Sequence, residues 1–574
     1  MSTAQPNSPR PTFELDLEIL EATVEAMTAA SSLGPLDAED MASAREDVAN
    51  HLVNNPGTVF KHAAELGLEH LRIALGVADV EPDPKDRRFS DDWFSSVPWF
   101  KRLAQAQVAN ERAASALLDD LDFDGKGRLR ADFVMNAWTS AMSPTNSLFG
   151  NPAAIKEAWR TGGASLLQGA QNALTDLTEN GGMPKMVDTE PFVAGETIAA
   201  TPGAVVHRHP LLEVLQYTPT TGEVHGRPVV IVPPQINKYY VLDLAPGRSL
   251  AEHLVANGQQ VFMISWRNPG PEFREHGLDD YLDAVLEATD VALDITGSPD
   301  LNLLGVCAGG ITASALAGHL AAIGDERLNS LSLLVTILDW DVPSTMGSFA
   351  LKPLPEASRV QSEATGVLSG EELAKTFAWM RPNDLVWNYW SNNYLQGKQP
   401  PAFDVLAWNV DSTNLPAALH GDFLSIAANN SLTTPGTLVA KATPVDLGAV
   451  TCDSYVVGAV TDHITPWEAC YESVRLLGGR SEFVLSSQGH IQALVNPPGN
   501  PKGSFRINPD AIDLDEGPSS EQWLEGAATH AGSWWDHWAV WLGERAGQMT
   551  DAPTDLGSAD HPVLGEAPGL YVFD

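Results

Sequence analysis

Cys307, Asp462 and His490 carry the residue types needed for covalent acyl transfer: a thiol nucleophile, a carboxylate and an imidazole base. Cys307 lies in Leu301-Asn302-Leu303-Leu304-Gly305-Val306-Cys307-Ala308-Gly309-Gly310, an apolar run that ends in a glycine-flanked cysteine. The helical pattern ITASALAGHLAAI follows it. This is the G-x-S-x-G nucleophile elbow with Cys in place of Ser. A sharp, strained turn between strand and helix needs Gly305 and Gly309 to avoid side-chain clashes, and the start of the helix stabilises a thiolate. The plain alternative is a buried cysteine in a tightly packed turn, and the motif alone is too short to decide between the two.

The partners decide it. Asp462 follows the β-rich run YVVGAV, and His490 follows EFVLSS. Each alone has an ordinary reading, as a turn or N-cap aspartate and as a loop histidine with a structural hydrogen bond. Nucleophile, acid and base in that order, each at a strand end, is the pattern of the α/β-hydrolase fold. His463 is the rival base, but a histidine next to the acid in sequence is badly placed for the acid–base hydrogen bond, so His490 is preferred. The backbone N–H of Ala308 is one expected oxyanion donor. The second is expected from the loop Pro233-Pro234-Gln235-Ile236-Asn237, from either Gln235 or Ile236.

These residues need a scaffold that presents strand ends on one side. Val229–Val232 is a β-branched run stopped by two prolines. Further strands are expected at Gln260–Ser265, Leu301–Leu304, Leu331–Leu338, Ser454–Val460 and Glu482–Ser486, with helical segments at Leu278–Ala292 and Thr312–Ala322. Strand–helix alternation predicts an α/β fold with a mainly parallel sheet covered by helices on both faces. The alternation breaks over about 341–443, a stretch rich in Trp and Pro that reads as a cap over the site. Upstream, three- and four-residue apolar spacing from Leu17 to Leu177 predicts helices, closed off by Gly181-Gly182 and Pro184. The expected organisation is a disordered tail over 1–15 and a helical domain over 16–190. A catalytic domain containing the cap follows over 191–550, then a C-terminal tail over 551–574.

Composition limits the partners. The 574 residues include 34 basic and 74 acidic side chains, a formal charge of −40, which repels nucleic acid and anionic membranes. Three cysteines, Cys307, Cys452 and Cys470, make neither a disulfide framework nor a zinc site. Cys452 and Cys470 lack glycine-elbow surroundings and read as inert thiols. The N-terminus has no signal-peptide core, and no apolar run is long enough to span a bilayer, so a cytoplasmic location is expected. Asp120-Leu121-Asp122-Phe123-Asp124-Gly125 looks like the start of a calcium loop. Ala131 stands where the twelfth-position Glu is required, so no metal is expected. Trp534, Trp538 and Trp541 fall on one helix face and read as core. Trp93, Phe94, Trp99 and Phe100 could form an exposed hydrophobic surface, with core packing or domain docking as the default reading.

Taken with PPQINKYYVLDL (233–244), SWRNP (265–269), NLLGVCAGG (302–310), WNVDSTNLP (408–416), DHITPW (462–467) and GHIQALVNPP (489–498), the chain resembles the polyhydroxyalkanoate synthases over about residues 80–545. AMSPTN (141–146) and GSWWDHW (532–538) look like that family's helical-region and C-terminal motifs. The resemblance implies that Cys307, Asp462 and His490 match the family's triad. It also implies polymerisation of (R)-3-hydroxyacyl-CoA into an intracellular polyester, with acyl-CoA as substrate and no cofactor. A homodimer on polyester granules, accompanied by granule-associated proteins, is implied too. QINKYY and GVCAGG look closer to synthases for medium-length acyl chains, but actinobacterial-type synthases share such features and can prefer short chains, which leaves monomer length open. Two other readings remain at this stage: a cysteine thioesterase or hydrolase on the same fold, and a non-catalytic granule-binding protein.

Overall fold

The computed structural model describes residues 48–123, 125–344, 354–508 and 518–574. The expected tail over 1–15 and the beginning of the expected helical stretch lie outside them.

The centre is an 11-stranded sheet. Its strands are β1 (Gly203–Arg208), β2 (Leu212–Tyr217), β3 (Pro228–Val232), β4 (Gln260–Trp266), β5 (Leu301–Val306) and β6 (Leu328–Leu334), followed by β7 (Asp453–Ala459), β8 (Ser481–Ser486), β9 (Ser504–Ile507), β10 (Ala528–Ala531) and β11 (Gly565–Glu566). The spatial order is β10-β9-β8-β7-β6-β5-β3-β4-β2-β1-β11. Strands β3 to β8 are parallel to one another, and the flanking strands are antiparallel. The six strands read from the sequence are this parallel core. The antiparallel flanks were not read, because their short runs carry polar residues and lack an apolar block.

Period-2 alternation sends neighbouring side chains to opposite faces, so the apolar strands serve two cores at once. Val230, Val232 and Leu303 pack with the helices Leu278–Thr296 and Ala308–Ile323. Val229, Ile231 and Leu304 pack on the other face with Leu250–Ala256 and Trp534–Gly543. Trp534, Trp538 and Trp541 are buried there as core, and their helix is fixed by Trp538 Nε1 donating to Ser332 Oγ at 3.0 Å.

Strand β6 stops at Leu334, short of the expected Leu338. Val335 has φ 44°, a conformation a β-branched residue rarely adopts, and the chain turns there. Thr336 Oγ1 reaches back to the carbonyls of Cys307 and Leu334 at 3.3 and 3.0 Å. The turn therefore packs against the elbow.

Between β6 and β7 the chain makes a long insertion with helices Leu354–Thr365, Gly370–Met380, Asp404–Val410 and Ala417–Asn429. The N-terminal helices Pro56–Leu75, Pro98–Asp119, Gly125–Ala141, Pro152–Arg160 and Ala164–Glu179 include two that the sequence reads as a single run, split by the left-handed Gly162 and Gly163. Several of these helices dock on the insertion. Tyr394 Oη donates to Asp176 at 2.8 Å, Asn151 Nδ2 to Ser391 Oγ at 2.6 Å, and Trp390 Nε1 to the Asn146 carbonyl at 3.1 Å. Of the early aromatics, Phe94 and Phe100 are buried and Trp99 is exposed. Asp120, in the calcium-like segment, pairs with Lys61 and His62. No described helix is long and apolar enough to cross a membrane.

After 551 the chain folds back across the sheet. β11 pairs with β1, and buried Glu213 accepts the N–H groups of Leu570 and Tyr571 at 2.8 and 3.0 Å.

Candidate active site

The elbow forms where β5 ends. Cys307 has φ 51° and ψ −120°, strained for a residue with a side chain, and helix Ala308–Ile323 begins at the next residue. A Cβ on Gly305 would meet Gly310 Cα at 2.6 Å and Ala313 Cβ at 2.8 Å. On Gly309 it would meet the carbonyl oxygens of Val232 and Pro233 at 2.3 and 2.4 Å. Both glycines are therefore required by close approach, and the second presses the elbow against the end of β3. β3 and β5 are neighbours in the sheet although β4 comes between them in sequence. The elbow thus sits where the strand order reverses, outside the carboxyl ends of the parallel strands.

Asp462 and His490 arrive at the same edge from the ends of β7 and β8, which are also adjacent. His490 Nδ1 lies 2.7 Å from Asp462 Oδ2, and both residues are buried. Asp462 Oδ1 accepts the N–H groups of Ile464 and Thr465 at 2.8 and 2.9 Å, and Thr465 Oγ1 donates to Oδ2 at 2.7 Å. Burial alone would raise this carboxyl's pKa. His490 and Thr465 outweigh it and hold Asp462 below the usual carboxylate value. Burial likewise opposes the charged imidazole, but the Asp462 carboxylate, with a smaller contribution from Cys307, lifts His490 to about 10. His463 is a different case: burial, with Arg381 nearby, pushes it down to about 4.

The loop after β3 closes the site. Gln235 is buried and its Nε2 donates to Thr312 Oγ1 of the elbow helix at 2.9 Å, while Ile236 is half-buried. The N–H groups of Gln235, Ile236 and Ala308 have no acceptor among the described residues. Burial pushes the Cys452 thiol up to about 12 and Cys470 well above its ordinary value, so neither competes as a nucleophile at neutral pH. Among the described residues no cluster of His, Cys, Asp or Glu could hold a metal ion.

The chain is 47% identical over 536 residues to poly(3-hydroxyalkanoate) polymerase 1 of Ectopseudomonas oleovorans, covering 93% of this chain and 95% of the relative. It belongs to the poly(3-hydroxyalkanoate) polymerase family. Polymerase 2 of the same organism is 44% identical over 96% of this chain and 97% of its own. The polymerase subunit PhaC of Cupriavidus necator is 41% identical over 87% of this chain and 85% of its own. The family model for the N-terminus of poly-beta-hydroxybutyrate polymerase matches residues 85–254, and the α/β-hydrolase fold model matches 228–497. The first runs past residue 190 and includes β1 to β3, so in this chain the match to the N-terminal family model already takes in part of the sheet.

Two residues at this site escaped the sequence reading. Thr465 lies in DHITPW three residues after Asp462, a spacing that lets a hydroxyl and an amide cap the same carboxylate. Thr413 lies in WNVDSTNLP, far from every strand end in sequence, and no local pattern marks it.

Proposed function

We propose that the chain polymerises (R)-3-hydroxyacyl-CoA into a polyhydroxyalkanoate polyester and releases CoA through an acyl group carried on Cys307. The observation that carries this reading is the pairing of Asp462 with His490 beside the elbow cysteine, in a chain of the polymerase family.

In the first step His490, held as the imidazolium by Asp462, already carries the proton that Cys307 gives up, and the thiolate attacks the thioester carbonyl. The N–H of Ala308 and a second one from Gln235 or Ile236 receive the developing oxyanion. CoA then leaves as a thiol with the proton from His490. One thioester replaces another, so the step is near thermoneutral, which suits a cysteine. In the second step the 3-hydroxyl of another acyl unit loses its proton and attacks the acyl-enzyme, forming the ester and freeing the thiol. His490 is the base here. Asp462 is already engaged by four donors, which favours an orienting role over that of an independent base. The insertion between β6 and β7 keeps water from the acyl-enzyme, because hydrolysis would turn the polymerase into a thioesterase. A homodimer at the granule surface with granule-associated proteins, in the cytoplasm, belongs to the same reading. So does acyl-CoA as substrate with no cofactor and no metal.

Incubation with (R)-3-hydroxybutyryl-CoA and a longer-chain analogue, read by CoA release and peptide mass spectrometry, tests this. The expected result is polymer, an acyl adduct on Cys307, and loss of CoA release in Cys307→Ala by about 10³-fold or more. An adduct elsewhere, or undiminished turnover in Cys307→Ala, would overturn it. Free hydroxy acid in place of polymer would identify a thioesterase. The relative rates fix the preferred chain length.

A further inference from the structure

The loop after β3 is gripped from two sides. On the elbow side the Gln235 side chain is tied to Thr312. On the other side the insertion takes the loop's carbonyls one after another. Thr413 Oγ1 donates to the Gln235 carbonyl at 2.6 Å, the Thr413 N–H to the Ile236 carbonyl at 3.3 Å, and Trp408 Nε1 to the Lys238 carbonyl at 2.7 Å. Thr413 is 1% exposed, so water is no substitute donor for its hydroxyl.

The Gln235–Ile236 peptide is trans, so its C=O and N–H point in opposite directions. With the Gln235 carbonyl turned to Thr413, the Ile236 N–H of the same unit faces away from the insertion, and no described residue accepts from it. The strand end that carries this loop is pressed on the elbow at Gly309.

We propose that Thr413 is a positioning residue for the oxyanion hole: its hydroxyl clamps the Gln235 carbonyl so that the Ile236 N–H faces the thioester oxygen. This selects Ile236 over Gln235 as the second donor. It also makes the insertion, through Thr413, part of the acylation machinery as well as a shield. The proposal rests on Cys307 being the nucleophile.

The test compares Thr413→Val, which keeps the shape and the backbone N–H but loses the hydroxyl donor, with Thr413→Ser, which restores the donor. Two readouts are used in the full-length enzyme. One is steady-state CoA release from (R)-3-hydroxybutyryl-CoA. The other is Cys307 alkylation by iodoacetamide, which needs the thiolate and forms no oxyanion. Thr413→Val is expected to lower kcat by about 10- to 100-fold at nearly unchanged KM, since one misaligned oxyanion donor costs part of the roughly 10²–10³-fold that its removal costs. Alkylation should proceed at the wild-type rate, and Thr413→Ser should regain most of kcat. Normal turnover in Thr413→Val overturns the proposal. So does an equal fall in alkylation, or failure of Thr413→Ser to recover, because either assigns Thr413 a purely structural part. If the alkylated wild-type enzyme still turns over, the nucleophile reading itself falls.

Discussion

A carboxylate that accepts hydrogen bonds from two amides, a hydroxyl and an imidazole has no lone pair left over for a substrate hydroxyl. Asp462 is such a group, and its depressed pKa and the raised one of His490 describe a single buried pair. His490 holds its proton more tightly folded than unfolded, so its stabilisation is complete below about pH 6.5 and fades as the pH rises through the folded value. Asp462 shifts the opposite way, so its share is present above about pH 3.9 and is lost as the pH falls through its lower folded value. Asp462→Asn is therefore expected to melt well below the wild type near pH 6, with the gap narrowing toward pH 10. Thermal denaturation across that range measures it. The same substitution should slow CoA release by about 10²–10⁴-fold, because the imidazole loses both its orientation and its counter-charge.

At the scale of elements, the site depends on close backbone approach. Gly309→Ala places a methyl against the carbonyls of Val232 and Pro233, neither of which is a flexible side-chain end, so β3 and its loop must move. A loss of about 1–3 kcal/mol is expected, with a fall in kcat. Gly324→Ala is the control. It lies at the far end of the same helix with φ 72° and open space around it, so it should cost about 1 kcal/mol in unfolding free energy and leave kcat intact. The segment after 551 is a second such element. Lys238, buried in the loop that contains Gln235 and Ile236, donates to the carbonyls of Tyr571 and Asp574 at 3.2 and 2.8 Å. Lys238→Met leaves both carbonyls without their donor. It is expected to cost about 1–3 kcal/mol and to expose residues 552–574 to limited proteolysis.

The whole molecule carries a charge of −40 and acts, in the reading proposed here, on a polyanionic thioester. Long-range repulsion slows encounter, and added salt screens it, with a Debye length near 10 Å at 0.1 M. Raising the salt from 10 to 150 mM is therefore expected to increase kcat/KM for acyl-CoA severalfold while kcat stays level. A decrease would show that the substrate is held chiefly by exposed basic side chains. The docking of the N-terminal helices on the insertion, through Tyr394, Ser391 and Trp390, also belongs to this scale. The docked residues and Thr413, proposed above to position the oxyanion loop, belong to the same insertion.

Much of the site was legible because its requirements are local. A glycine–cysteine turn between an apolar strand and a helix, and a carboxylate and a histidine at later strand ends, are each set by a few neighbouring residues. The parallel strands were legible because they are buried on both faces and read as unbroken apolar runs. The flanking antiparallel strands, the early end of β6 at Val335 and the return of the C-terminal segment were not. Each depends on pairing or turning against chain distant in sequence. Thr413 shows the division most sharply. Sequence alone offered Gln235 and Ile236 as equal donors, since a loop's residue types say nothing about which way its peptides face. The orientation was decided by a hydroxyl 178 positions away, brought onto the loop by the fold.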